Sequence, residues 1–376
     1  MQSTISPFIS QKFKFWSFIS MMLLVFVHGY NLQQRYLQPF TIVEEPLTVN
    51  TYLQYFLANG ILRFRIPMLF IISGYLYALH DTKPYGERTK KRLRTLGLPY
   101  LLWSAIALAF TYLLEMYQPT KALVESSHLM QIDEKRLFLH EYKWFEWLGR
   151  WILVPVPYQL WFIRVLLLYN VAYPVIKWLV THRVAKWVFF SIAFLLWLSS
   201  GGFFFIEGEG LLFFSLGVWM QQTSFNIDIP KKWMSPLLWF VVFVLTTSVK
   251  TWLAFKGYAL MKNNVYPVLL LLHKIVVFSG LITAWFSCDV LVKWFMQKQW
   301  FIWCTAFAFI IYALHVPLVT YAIDGVFNCL NGLHHYRLIT FFLLPLLIIG
   351  FSIVVGFLLR KYFPKVYAVL TGGRGF

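Results

Sequence analysis

Apolar residues run through this chain in long blocks, broken by short polar or charged segments. A bilayer core demands about 20 consecutive apolar residues of helix, with a range of about 17–25. On that scale the blocks predict about ten spans, near 14–31, 64–80, 95–115, 158–178, 186–201, 208–222, 234–254, 265–285, 300–322 and 338–360. The stretch GGFFFIEGEG leaves room for only a tight turn between the fifth and sixth. The predicted class is all-α, a polytopic integral membrane protein. No 20–50-residue repeat and no Pro/Gly/Ser-rich linker divides it. Residues 1–376 therefore read as one membrane-embedded domain with no appended soluble domain. The first 30 residues carry Lys12, Lys14 and an apolar run but no small-residue cleavage site, so they read as a retained first helix.

Composition agrees, with 59% hydrophobic and 13% charged residues, where a soluble domain carries roughly 25% charged. The net charge of +18 suggests nucleic acid only in a soluble protein. Here the cations cluster between apolar blocks, as membrane topology requires, and no nucleic-acid partner is expected. Six of them (Lys83, Arg88, Lys90, Lys91, Arg92 and Arg94) crowd into one segment between the second and third blocks. That segment has two readings: a topology anchor at an anionic leaflet, or a site for a polyanion arriving from the cytosol. With the N-terminus inside, the inner segments hold about 19 Lys and Arg against about ten outside. Both termini are then cytoplasmic. The long 116–157 loop lies outside, where Glu125, Asp133, Glu134, Glu141 and Glu146 sit among aromatics in short interfacial helices. Cys288, Cys304 and Cys329 have neither disulfide-framework nor metal-ligand spacing, so no metal is expected.

Ionisable residues inside spans are costly, which makes each a functional candidate. His28 ends the first block in VFVHGYN, and Arg164 stands in LWFIR. His273 and Lys274 interrupt the eighth span, and His315 sits in the ninth. Arg63 and Arg65 precede the second. Each also has a plain reading: a buried histidine as an interhelical hydrogen-bond partner, an arginine snorkelling to headgroups, a lysine at a shifted span boundary. His28 stands apart because neutral imidazole suits proton abstraction near pH 7 and the chain turns polar just beyond it.

Several motifs now fall in a known order: VFVHGYN, PMLFIISGYL, RTKKRLRTLGLPYLLW, LWFIR, FFSLGVW and IYALHVPL. Through most of its length the chain resembles the acyltransferase-3 family of polytopic membrane enzymes. That family's usual pattern has an arginine eleven positions before the first-helix histidine; here Ser17 stands there. Lys14 falls within about 40° of His28 on a helical wheel, so it is the expected stand-in. Val165 occupies the place where an acidic residue often follows the LWFIR arginine.

The resemblance implies acyl-coenzyme A, acetyl-CoA in the simplest case, as a donor substrate rather than a resident cofactor. It also implies a hydroxyl acceptor on a cell-surface or lipid-linked saccharide, and a multi-pass place in the bacterial cytoplasmic (inner) membrane. Lys14, Arg88, Lys91, Arg92 and Arg94 would pair with the donor's phosphates. His28 would be the general base, and Arg164, Ser73 or Tyr30 would supply the oxyanion donor. Ser73 reads equally as a small packing residue. A transporter or flippase of a saccharide is the alternative, without a visible inverted repeat to support it. The sequence leaves the acceptor, the acyl chain and the oligomeric state open, and it leaves room for a homodimer.

Overall fold

The computed structural model describes residues 5–32, 38–131, 136–203 and 206–375; Asp133 and Glu134 of the acidic loop lie outside them. The regular elements of the described chain are helices except for a two-stranded antiparallel pairing, Gly202–Phe203 with Ile206–Glu207. It is an all-α polytopic membrane protein. Five helical stretches are long and apolar enough to cross a bilayer: Val49–Leu79, Tyr85–Met116, Pro236–Ser287, Ala308–Leu330 and Tyr336–Tyr362. A bent pair, Tyr158–Val171 with Tyr173–Thr181, makes a sixth. The exact count of ten spans is not confirmed; Pro236–Ser287 alone holds two helices of crossing length, Pro236–Met261 and Val265–Ser287. The Ala185–Leu198 and Gly208–Gln222 helices have 14 and 15 residues, fewer than the roughly 20 that a crossing needs. The fourth span breaks by 67° beside Pro174, because proline cannot continue a hydrogen-bonded helix.

The first helix, Pro7–His28, starts where the chemistry of its ends says it should. Ser6 Oγ accepts the Ile9 amide at 3.2 Å and Pro7 fills the first turn, where its missing N–H costs nothing. The Arg65–Leu79 and Gly208–Gln222 helices cross with backbones in contact. A Cβ on Gly74 would lie 2.1 Å from the Phe214 carbonyl oxygen, and one on Gly217 2.1 Å from that of Ile71. Small residues allow such approach, and in lipid this packing substitutes for hydrophobic drive.

The basic segment read as a loop is helical. Tyr85–Arg92 runs through a π-turn, Leu93–Gly97, directly into Leu98–Met116. Glu87 sits in its first turn and Lys90, Lys91 and Arg92 in its last, the arrangement a helix dipole favours. Both described chain ends lie at this basic end. Ser17 of the first helix lines a cavity with Arg92, and Arg374 Nη1 donates to the Thr95 carbonyl at 3.0 Å.

Part of the 116–157 loop does form short helices, Gln118–Ser127 and Trp144–Ile152. It does not stay at the face where Leu98–Met116 ends. Tyr100 Oη donates to the Ile152 carbonyl at 2.7 Å, and Ser104 Oγ to that of Trp151 at 2.7 Å. The second helix thus returns alongside the first turns of Leu98–Met116, with Trp144, Phe145 and Leu148 exposed.

Candidate active site

Three stretches far apart in sequence meet around His28. The first is the end of Pro7–His28, whose last residue is held by the Gly29 amide closing on Val25 O at 2.9 Å. The second is the turn Tyr158–Leu160, and the third the kinked middle of Ala308–Leu330 near His315. Tyr158 Oη lies 2.6 Å from His28 Nδ1. When His28 Nδ1–H donates to this phenol oxygen, Nε2 is left as a free base. That is the tautomer proton abstraction requires. The His28 and His315 rings sit 5.2 Å apart. His315 Nδ1 is 3.1 Å from the Ile311 carbonyl. A carbonyl can only accept, so that nitrogen carries the proton and His315 Nε2 is a buried acceptor without a partner.

His28 opens on a cavity of about 590 Å³. Its lining mixes signs, with Arg63, Arg65 and Lys274 alongside Glu207 and Glu209. Lys274 Nζ donates to Ser200 Oγ at 2.8 Å, and Glu207 Oε2 accepts the Gly210 amide at 2.9 Å. Arg65 Nη1 donates to the Leu62 carbonyl at 2.7 Å, and Arg63 is bonded to Asn59. Local irregularity puts these cations here. The helical run Val49–Leu79 passes through a π-turn, Phe56–Gly60, and a 3-10 turn, Ile61–Phe64. Gly60 is what fits against Thr247, since a Cβ there would fall 2.2 Å from Thr247 Cγ2. Tyr30 also lines the cavity, with its hydroxyl buried and unpartnered.

A second cavity, about 230 Å³, lies towards the basic end. Ser17, Ser73, Arg92, Asn170 and Arg374 contribute its polar surface. Phe162 and Tyr312 line both cavities and are the wall between them. The wall is tied down: Tyr312 Oη donates to the Gln159 carbonyl at 2.6 Å, and Gln159 Nε2 donates back to the Tyr312 carbonyl at 3.2 Å. Ser17 and His28 are eleven residues apart on one helix, hence about 16 Å along its axis.

The sequence candidates scatter across this geometry. His28 and Tyr30 share the 590 Å³ cavity, while Ser73 and Arg92 line the smaller one. Arg164 is at neither: its guanidinium donates to the Leu153 carbonyl, bracing the returning loop. Arg88 is buried, paired with Asp81 at 2.8 Å and stacked 4.1 Å from the Tyr77 ring centroid, a bracing role at the basic end. Lys91 and Arg94 are exposed. Lys14 is exposed too and lines neither cavity. The wheel placed it on the His28 stripe, but that stripe meets the cavity at Ser17 instead. The buried lysine of this helix is Lys12, paired with Asp289 at 2.5 Å. Tyr158 went unread in the sequence because tyrosine is common beside spans. Glu207 and Glu209 were visible only as a turn motif, although two acids inside an apolar region are a signal in themselves.

Comparison with known proteins gives this geometry a chemistry. Residues 12–361 match the acyltransferase-3 family model, described as an acyltransferase domain. The chain is 24% identical over 337 residues to the succinoglycan biosynthesis protein ExoH of Rhizobium meliloti (strain 1021), covering 86% of this chain and 82% of that one. No solved structure matches it. With the family model spanning nearly its whole length, the chain belongs to the acyltransferase-3 family and is a membrane acyltransferase.

Proposed function

We propose that the enzyme takes an acyl group, acetyl in the simplest case, from acyl-coenzyme A at its basic face. It passes the group to a hydroxyl of a cell-surface or lipid-linked saccharide at the His28 cavity. The observation that carries this reading is the pair of cavities sharing Phe162 and Tyr312 as a wall. One has a positioned imidazole; the other has guanidinium groups and no histidine or carboxylate among its described lining residues. The similarity to a protein of polysaccharide biosynthesis supports a saccharide as acceptor. The basic end, with the Lys83–Arg94 segment, would face the cytosol of a bacterial cell, the leaflet at which cationic loops collect.

In this mechanism the pantetheine arm carries the thioester from the basic end to the wall, so no phosphate crosses hydrocarbon. His28 Nε2 takes the proton of the acceptor hydroxyl as its oxygen attacks the thioester carbonyl carbon. The Tyr30 hydroxyl, which lines the cavity and has no hydrogen-bond partner among the described residues, donates to the tetrahedral oxyanion. Collapse breaks the C–S bond. The proton held on His28 then returns to the departing sulfur, leaving an ester and free coenzyme A. Purified enzyme given radiolabelled acetyl-coenzyme A and an undecorated lipid-linked oligosaccharide should release thiol and label the glycan in equal amounts. Labelled glycan with no thiol released, or no reaction with any acyl-coenzyme A, would overturn the donor assignment.

A further inference from the structure

Residues 372–375, Gly-Gly-Arg-Gly, count in the sequence alone only as positive charge. In the structure they are built into the basic end. Gly372, Gly373 and Gly375 adopt φ of 62°, 77° and 85°, left-handed conformations that glycine reaches without strain. Two of them also lie flush against other segments. A Cβ on Gly372 would sit 2.1 Å from the Thr95 carbonyl oxygen, and one on Gly375 2.2 Å from that of Ala306. Arg360 Nη1 clasps the Gly375 carbonyl at 2.9 Å. The outcome of this folding is the position of one side chain. Arg374 Nη1 donates to the carbonyls of Thr95 at 3.0 Å and Thr371 at 2.9 Å, and its guanidinium lies 5.0 Å from the Phe309 ring centroid.

Arg374 and Arg92 line the 230 Å³ cavity together, and no carboxylate is among the described residues that line it. Burial, and behind it the charge of Arg92, pushes the Arg374 guanidinium down to about 10. Two like charges held in one cavity without a counter-ion are a standing cost that a bound anion removes. A third feature points to a larger ligand than a simple ion. Asn170, 2% exposed, lines the same cavity with its Oδ1 unpartnered, an acceptor waiting for an N–H.

We propose that Arg374, delivered by the C-terminal tail, is a donor-binding residue. With Arg92 it holds the diphosphate of coenzyme A, while Asn170 Oδ1 accepts an amide N–H of the pantetheine arm. The inference rests on the reading of acyl-coenzyme A as donor. It gives the tail a place in the active machinery, and it supplies the cation that Ser17 and the exposed Lys14 do not.

The test is coenzyme A binding, by calorimetry, to the full chain in lipid nanodiscs. Loss of a charge-assisted contact corresponds to about a tenfold to hundredfold loss of affinity. R374Q should therefore bind that much more weakly, and R374K, which keeps the charge and loses the fork, should fall between. Equal binding by wild type and R374Q overturns the role of Arg374 and leaves the donor reading standing. No coenzyme A binding by the wild type removes both. Should R374Q aggregate, hydrogen exchange on the wild type decides: coenzyme A should slow exchange at the backbone amides of 371–375, and unchanged exchange there overturns the proposal.

Discussion

The two cavities meet at one wall yet are built on opposite principles. The His28 cavity mixes acids, bases and cations, contributed by the first helix, the Tyr158–Leu160 turn, the Ile206–Glu207 strand and the helices around Arg63 and Lys274. The cavity at the basic end carries guanidinium groups, small hydroxyls and an amide, with no acid among its described lining residues. A site that moves protons needs groups that accept and donate them, held in fixed tautomers. A site that holds a polyanion needs only fixed positive charge and a few hydrogen-bonding groups. In the proposed mechanism this contrast separates chemistry from donor capture along a single helix, with His28 in one cavity and Ser17 in the other.

That separation breaks most sharply at His28. H28A should lower acyl transfer by on the order of 10²–10⁴ while coenzyme A affinity stays at the wild-type value, since His28 does not line the donor cavity. Turnover and calorimetry on the same preparation check both halves. A variant that loses coenzyme A binding as well would merge the two cavities into one functional unit.

A smaller loss is expected from Y30F. Removing one oxyanion donor costs about 10²–10³ in kcat, here with little change in KM for either substrate because the contact strengthens only as charge develops on the carbonyl oxygen. Steady-state kinetics in both substrates distinguish this from a binding role, in which KM for the acceptor would rise at constant kcat.

The smallest effect is on stability. Burial, and behind it the charge of Glu209, pushes the Glu207 carboxyl up to about 7 from its ordinary 4.5. A raised carboxyl means the folded protein keeps a proton that the unfolded chain gives up. This group therefore lowers stability progressively as pH rises from about 4.5 to about 7. E207Q should flatten that part of the profile in thermal unfolding of the detergent-solubilised protein, and an unchanged slope would reassign the titration. The basic-end cavity, lacking any such acid, should add no counterpart in this range.

How far the sequence goes can be read from particular residues. Apolar block length was enough for the all-α membrane class, because a bilayer sets length directly. It left the exact number of crossings unconfirmed, since the break near Pro174 and the short Ala185–Leu198 helix depend on packing that block length does not encode. His28 stood out because a histidine at the end of an apolar helix is expensive, and it lines the 590 Å³ cavity. Tyr30 was legible as its neighbour. Arg164 and Lys14 line neither cavity, because a charge in an apolar block does not say which way its side chain turns. Arg164 found the Leu153 carbonyl, and Lys14 remained exposed. Arg374 carried no signal in a tail of glycines, because its placement comes from contacts with Thr95 and Phe309, distant in sequence.

In the proposed mechanism donor and acceptor approach from opposite faces. This is tested most directly in proteoliposomes of a single orientation. Thr89→Cys and Ser126→Cys, each in a chain freed of its three native cysteines, report with an impermeant thiol reagent which face is outward. Radiolabelled acetyl-coenzyme A is then supplied to one face only, with acceptor oligosaccharide on the other. Transfer when the donor is on the Thr89 face and the acceptor on the Ser126 face, and none in the reverse arrangement, is the expected result. Transfer with donor and acceptor both confined to the Ser126 face would contradict the account.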